Sequence, residues 1–177
     1  MEETFVPEQI PPGPILIVDD SLTSCLHYKL VLHRYQKQFP EFIECHSVAE
    51  AKAALKTQRP LCCLLDFEMP GESGLDLLAY MQAEYKEAPI PVVVITGHGS
   101  VDVASSMLRA GAHDYLIKGR VDSTSLIKAI LNAVKVSRLE SKLYELTHST
   151  AFILHNGGKT MALRSNPDVA QRHYLEA

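Results

Sequence analysis

The sequence predicts an α/β fold: an open five-stranded parallel sheet with helices on both faces, followed by a C-terminal helical extension. Three observations predict it. Five short apolar runs alternate with five stretches of helical periodicity. Three of the runs are nearly unbroken hydrophobic, as strands covered on both faces are. The right-handed crossover rule then leaves only a few strand orders, 2-1-3-4-5 among them.

The runs are Ile15–Val18, Phe42–Cys45, Leu61–Leu65, Val92–Ile95 and Tyr115–Ile117. In the first helical stretch Leu22, Leu26 and Leu30 repeat at i+4. Val48, Ala51 and Leu55 line the second, and Leu75, Leu78 and Met81 the third. Val101, Ala104 and Leu108 mark the fourth, with Gly111 placed to cap its C-terminus. Leu126, Ile130 and Ala133 mark the fifth, with Asp122 or Ser123 as N-cap. Val136, Leu139, Leu143 and Leu146 follow at 3-4-3 spacing, the start of a coiled-coil seam. Two apolar segments then flank Asn156-Gly157-Gly158, a hairpin signal.

The 177 residues suit one domain plus an appendage. We divide them into a flexible N-terminal segment (1–12), the α/β domain (13–137), a helical extension or linker (138–150) and a short tail (151–177). The tail is too short to bury a core of its own. A net charge of −4 and a pI near 6.0 give no electrostatic reason to expect nucleic-acid binding. No apolar run approaches the roughly 20 residues that span a bilayer. The acidic, Pro-rich opening MEETFVPEQIPPGP resembles no targeting peptide. A cytoplasmic location without membrane contact is expected. Cys25, Cys45, Cys62 and Cys63 form no CxxC spacing, and adjacent strand residues point to opposite faces, so Cys62 and Cys63 read as buried small hydrophobes.

The polar residues at the strand ends carry the chemistry. The first run ends in Asp19-Asp20, the third in Asp66, the fourth in Thr96 and the fifth in Lys118. Open α/β sheets bind ligands outside the carboxyl ends of their strands, where the strand order reverses. In the order 2-1-3-4-5 all five residues converge there. Three carboxylates in one pocket repel one another unless a cation intervenes, and a hard divalent ion such as Mg²⁺ suits oxygen ligands. An aspartate carboxylate is a nucleophile for phosphoryl groups, and a lysine and a threonine can hold the transferred oxygens.

The segments ILIVDDS, LLDFEMPGESGLDLL, VVVITGHGS and AGAHDYLIKG resemble the signature blocks of response-regulator receiver domains of two-component signalling, CheY-like in fold, over about residues 13–137. The resemblance implies that Asp66 is the phospho-acceptor. It implies that Asp19, Asp20, Asp66 and the backbone carbonyl of Glu68 hold Mg²⁺, and that Thr96 and Lys118 contact the phosphoryl group. Thr96 and Tyr115 would form the switch that alters contacts of the fourth helix, fifth strand and fifth helix. A histidine kinase or histidine phosphotransfer protein would be the donor, and the domain would be a signalling module rather than an enzyme. Gly119 departs from the proline usual in the family after the lysine; it forfeits that residue's rigidity but is compatible with a tight turn. Glu68 and His98 each stand two residues past a site residue and are candidates to tune the lifetime of the phosphorylated state, with a solvated rim pair as the alternative reading. Gly97 leaves room for a donor. Asp114, Asp76 and Glu72 read as surface carboxylates.

Two other classes fit less well. A phosphatase with an aspartate nucleophile needs a DxD pair where Asp66-Phe67-Glu68 stands. A nucleotide or flavin binder needs a Gly-rich loop where Asp20-Ser21-Leu22 stands. For the output, the tail weakly resembles the opening of a PAS domain, so a larger sensor or regulatory protein, with a kinase or cyclase module beyond the chain end, is the leading expectation. A single-domain regulator that dimerises through its C-terminal helix is the alternative.

Overall fold

The computed structural model describes residues 12–97 and 101–155. Among them, the strands β1 (Ile15–Val18), β2 (Phe42–Cys45), β3 (Cys62–Asp66), β4 (Val92–Thr96) and β5 (Asp114–Ile117) form one parallel sheet in the order β2-β1-β3-β4-β5. The helices are α1 (Leu22–Leu32), α2 (Val48–Leu55), α3 (Gly74–Glu84), α4 (Val101–Arg109) and α5 (Ser123–His155). The predicted strand order is the observed one.

Side-chain alternation along the strands divides the interior into two cores, one per face. Ile15, Ile17, Cys62, Leu64 and Ile95 pack with Cys25, Tyr28 and Leu32 of α1 and Leu126, Ile130 and Ala133 of α5. Leu16, Val18, Cys63, Leu65 and Val94 pack with α2, α3 and Met107 of α4. Cys62 and Cys63 therefore belong to opposite cores, as alternation requires. Burying each of these large aliphatic side chains stabilises the fold by about 1.5–3 kcal/mol.

Three expectations are corrected. The α1 leucines do not face the sheet: Leu22, Leu26 and Leu30 are 71, 53 and 65 % exposed. This helix is apolar on two sides, and the other set, Cys25, Tyr28 and Leu32, is buried instead. Its rotation is set by Ser21, whose side chain accepts the Ser24 N–H, and by Cys25, whose thiol donates to the buried Asp19 carbonyl. On α4, Leu108 is exposed and Met107 takes the core position. Finally, α5 continues as one helix to His155, so Ala151–His155 are not the first extended arm of a hairpin. The rest of that hairpin signal lies outside the described residues.

Helix ends follow their capping chemistry. Gly111, at φ +100°, ends α4, and its neighbour Ala112 returns an N–H to the Met107 carbonyl. Asp122 rather than Ser123 caps α5, accepting the Ser125 N–H at 2.7 Å. Beyond the sheet, α5 stays attached by side chains. Ser137 donates to the Pro89 carbonyl at 2.6 Å and Tyr144 to Glu87 at 3.3 Å. The His113 Nδ1 accepts the Val92 N–H, so its Nε2 carries the proton and donates to Glu140 at 3.1 Å.

Candidate functional site

At the carboxyl ends of the strands, the backbone brings Asp19, Asp20, Asp66 and Lys118 together. The ladder between β1 and β2 extends one step past β1, Asp19 N–H donating to the Cys45 carbonyl, and so carries Asp19 to the sheet edge. Its buried carboxylate accepts the Ser21 N–H on Oδ1 at 2.9 Å. The neighbouring Asp20 is exposed. Asp66 is the last residue of β3 and buried; its Oδ1 accepts the Glu68 N–H at 3.1 Å. Lys118, directly after β5, places its Nζ 2.7 Å from Asp66 Oδ2 and 3.0 Å from Asp19 Oδ2.

Thr96 is the last residue of β4 and buried. Tyr115 stands opposite Val94 in the β4–β5 register and packs, half-buried, against the core that holds Val94. Because Val94 and Thr96 are two residues apart, Thr96 and Tyr115 share a face of the sheet. Glu68 is exposed, and a Cβ on Gly97 would lie 3.6 Å from its Oε2. His98 lies outside the described residues.

The charges are unbalanced. One carboxylate oxygen from each of Asp19, Asp20 and Asp66 lies within 4.8 Å of the others, with one ammonium among them. Burial pushes the Asp66 carboxyl above its ordinary value, although the Lys118 ammonium and the Glu68 N–H oppose this. Burial alone would lower the Lys118 ammonium, but its contacts with Asp66 and Asp19 outweigh burial and hold it above the usual lysine range. Asp19 Oδ2, fully buried, is met by the Lys118 ammonium at 3.0 Å, which it shares with Asp66. Three carboxylates sharing a single ammonium leave an excess of negative charge that fits a hard divalent cation with oxygen ligands. Asp19, Asp20 and Asp66 could hold one.

The family model for the response regulator receiver domain matches residues 15–131. The chain belongs to this family. The receiver is 36% identical over 96 residues to the response regulator protein PilR of Pseudomonas aeruginosa, covering 54% of this chain and 21% of PilR. It is 31% identical over 135 residues to the alginate biosynthesis transcriptional regulatory protein AlgB of Pseudomonas putida, covering 76% of this chain and 29% of AlgB. The chain thus spans less than a third of either relative. Among solved structures, it is similar to the N-terminal signal receiver domain of a two-component response regulator from Bacteroides fragilis, with a TM-score of 0.60, 28% identity and coverage of 70% of this chain and 97% of that one. A CheY-like receiver from Methanospirillum hungatei shares the fold at a TM-score of 0.62 and 23% identity, covering 73% and 98%.

Within the receiver, the three carboxylates read as surface groups have structural partners. Asp76 completes a capping box with Ser73 at the start of α3, and those hydrogen bonds hold its carboxyl below the ordinary value. Glu72 pairs with Lys52 at 2.8 Å. Asp114 accepts from Asn132 of α5 at 3.2 Å. Gly119 lies in a single turn of 3₁₀ helix, Lys118–Arg120, with open space where a side chain would go. Sequence reasoning overlooked two residues at the site. Gly74 lets α3 start against the Asp66 backbone, and His46, at the carboxyl end of β2, donates from Nδ1 to the Asp19 carbonyl at 3.1 Å. Only the second had a signal, its position at the same end of the sheet. Among the described residues no helix is long and apolar enough to cross a membrane.

Proposed function

We propose that this receiver takes a phosphoryl group from a phosphohistidine onto Asp66 and passes the signal on by changing its protein contacts. The observation that carries the reading is Lys118 Nζ, in contact with both Asp66 and Asp19 beside a third carboxylate. An Asp66 oxygen forms a bond to phosphorus as the bond from phosphorus to the donor's imidazole nitrogen breaks, that nitrogen keeping the electron pair. Lys118 exchanges an aspartate oxygen for a phosphoryl oxygen and neutralises charge there. Asp19, Asp20, Asp66 and the backbone carbonyl of Glu68 would hold Mg²⁺, which would supply the remaining positive charge. The Thr96 hydroxyl takes another phosphoryl oxygen, and Tyr115, on the same face, moves in behind it. The face of α4, β5 and α5 then changes partners.

The donor is a histidine kinase or a histidine phosphotransfer protein. Its docking surface on this chain is the exposed stripe Leu22, Leu26 and Leu30, which begins one residue after Ser21 and so adjoins the acidic pair. An apolar stripe of this kind suits a partner helix. The α5 extension pairs with a second copy of the chain. Leu139, Leu143 and Leu146 are 56, 66 and 66 % exposed, on a different face of the helix from Ser137 and Tyr144, which hold it to the domain. With Val136 and Leu143 at a, Lys135 falls at g and Glu140 at e. An antiparallel dimer would set Lys135 and Lys142, both at g, against each other, which favours a parallel one.

The module is cytoplasmic, touches neither nucleic acid nor membrane itself, is not an enzyme, and belongs to a larger regulatory protein. The test is incubation with Mg²⁺ and a small phosphodonor, followed by intact mass. One phosphoryl group should appear on the wild type and none on Asp66→Ala; equal labelling of both would reject the reading.

A further inference from the structure

The peptide that joins Asp19 to Asp20 is held from two sides by residues outside the phosphoryl pocket. Its carbonyl oxygen, that of Asp19, accepts from His46 Nδ1 at 3.1 Å and from the Cys25 thiol at 3.5 Å. A carbonyl oxygen carries no proton, so His46 is the donor and its Nδ1 is protonated. The His46 backbone is fixed in turn, its N–H donating to Glu50 Oε2 at 2.7 Å. Cys25 is fully buried, and its thiol is the second donor to the same oxygen.

This peptide matters because its plane fixes two torsions, ψ of Asp19 and φ of Asp20, and these set the angle between the two carboxylates. Asp19 has further restraints at its own amide and at Oδ1. Asp20 is exposed and lies past the end of β1. The direction in which its carboxylate leaves the backbone therefore depends on the shared peptide.

We propose that His46 is a positioning residue for the cation site: by pinning the Asp19 carbonyl it aims the Asp20 carboxylate toward those of Asp19 and Asp66. Cys25 supplies the second, weaker restraint from the α1 side. The inference rests on the metal-assisted reading above. Partners that orient ligands from behind typically change metal affinity by about 10–100-fold when removed. Because His46 acts through backbone, the lower end applies.

The test compares wild type, His46→Leu and His46→Asn. The asparagine amide places an N–H close to where Nδ1 stands, while leucine removes the donor. Mg²⁺ binding is measured by calorimetry, and thermal unfolding is followed without metal. His46→Leu should bind Mg²⁺ about tenfold more weakly and His46→Asn within about threefold of wild type, with metal-free unfolding of the two variants alike. Undiminished binding by His46→Leu overturns the proposal. So does equal weakening in both variants. If His46→Leu fails to fold, the comparison of His46→Asn with His46→Gln, whose amide reaches toward the Nε2 position, decides the matter; equal affinities would then overturn it. A wild type that binds no Mg²⁺ instead rejects the metal reading itself, which separates the two failures.

Discussion

Gly74 and Asp66 meet so closely that a Cβ on Gly74 would lie 2.6 Å from the Asp66 carbonyl oxygen. The same Cβ would stand 3.0 Å from Phe67 Cα, so two pieces of backbone, neither able to swing aside, would have to move. The Gly74 N–H also donates to the Phe67 carbonyl at 3.2 Å, tying the start of α3 to the loop after the acceptor. Gly74→Ala should therefore lower stability by about 1–3 kcal/mol, as over-packing of a tight site does. Chemical denaturation measures this, and an unchanged midpoint would contradict the packing.

Asp66 carries its charge against burial. A carboxyl whose folded value is raised stabilises the fold below its unfolded value and loses that contribution as pH rises through the folded one. Without metal, Asp66→Asn should thus melt at a higher temperature than wild type near pH 7. The difference should shrink as pH falls toward about 4, where the unfolded carboxyl titrates. Melting curves across that range give the answer, and a less stable Asp66→Asn at neutral pH would refute the account.

The exposed leucines of α1 separate protein donors from small ones. Leu26→Glu should slow transfer from a phosphohistidine protein by about tenfold or more, the loss of one buried leucine contact at an interface. Labelling by a small phosphodonor should be unchanged. Equal slowing of both would place the effect in the pocket instead of on the surface.

On α5, replacing both Leu139 and Leu143 with glutamate should weaken self-association at least a hundredfold, since each leucine contributes about 1.5–3 kcal/mol when buried. Sedimentation at several concentrations measures it. A wild type that remains monomeric at all of them would remove the seam from the account.

What the sequence revealed and what it hid have physical causes. Strand ends are marked where an apolar run gives way to Asp19, Asp66, Thr96 or Lys118, and a parallel sheet brings those ends to one edge. That is why strand order and pocket could both be anticipated. The rotation of α1 could not, because leucines at i+4 outline one stripe while Cys25, Tyr28 and Leu32 outline another. The choice was made by contacts distant in sequence or hidden in the backbone, such as the Cys25 thiol on the Asp19 carbonyl. The same holds on α4, where adjacent Met107 and Leu108 were equally apolar and only one reaches the core. Gly74 was unreadable for a related reason: its role is a distance from the start of α3 to the backbone at the end of β3. At the C-terminus the Asn-Gly-Gly turn chemistry suggested a strand, but Ala151–His155 continue the preceding helix, whose hydrogen-bond ladder extends at one bond per residue.

The most direct test of the central claim is an amide NMR spectrum of the chain with beryllofluoride, an analogue of the phosphoryl group, and Mg²⁺. The account predicts that the amides of Asp66, Thr96, Tyr115 and Lys118 shift only when both are added, and not at all in Asp66→Ala. Shifts that persist in Asp66→Ala, or an unchanged wild-type spectrum, would contradict it.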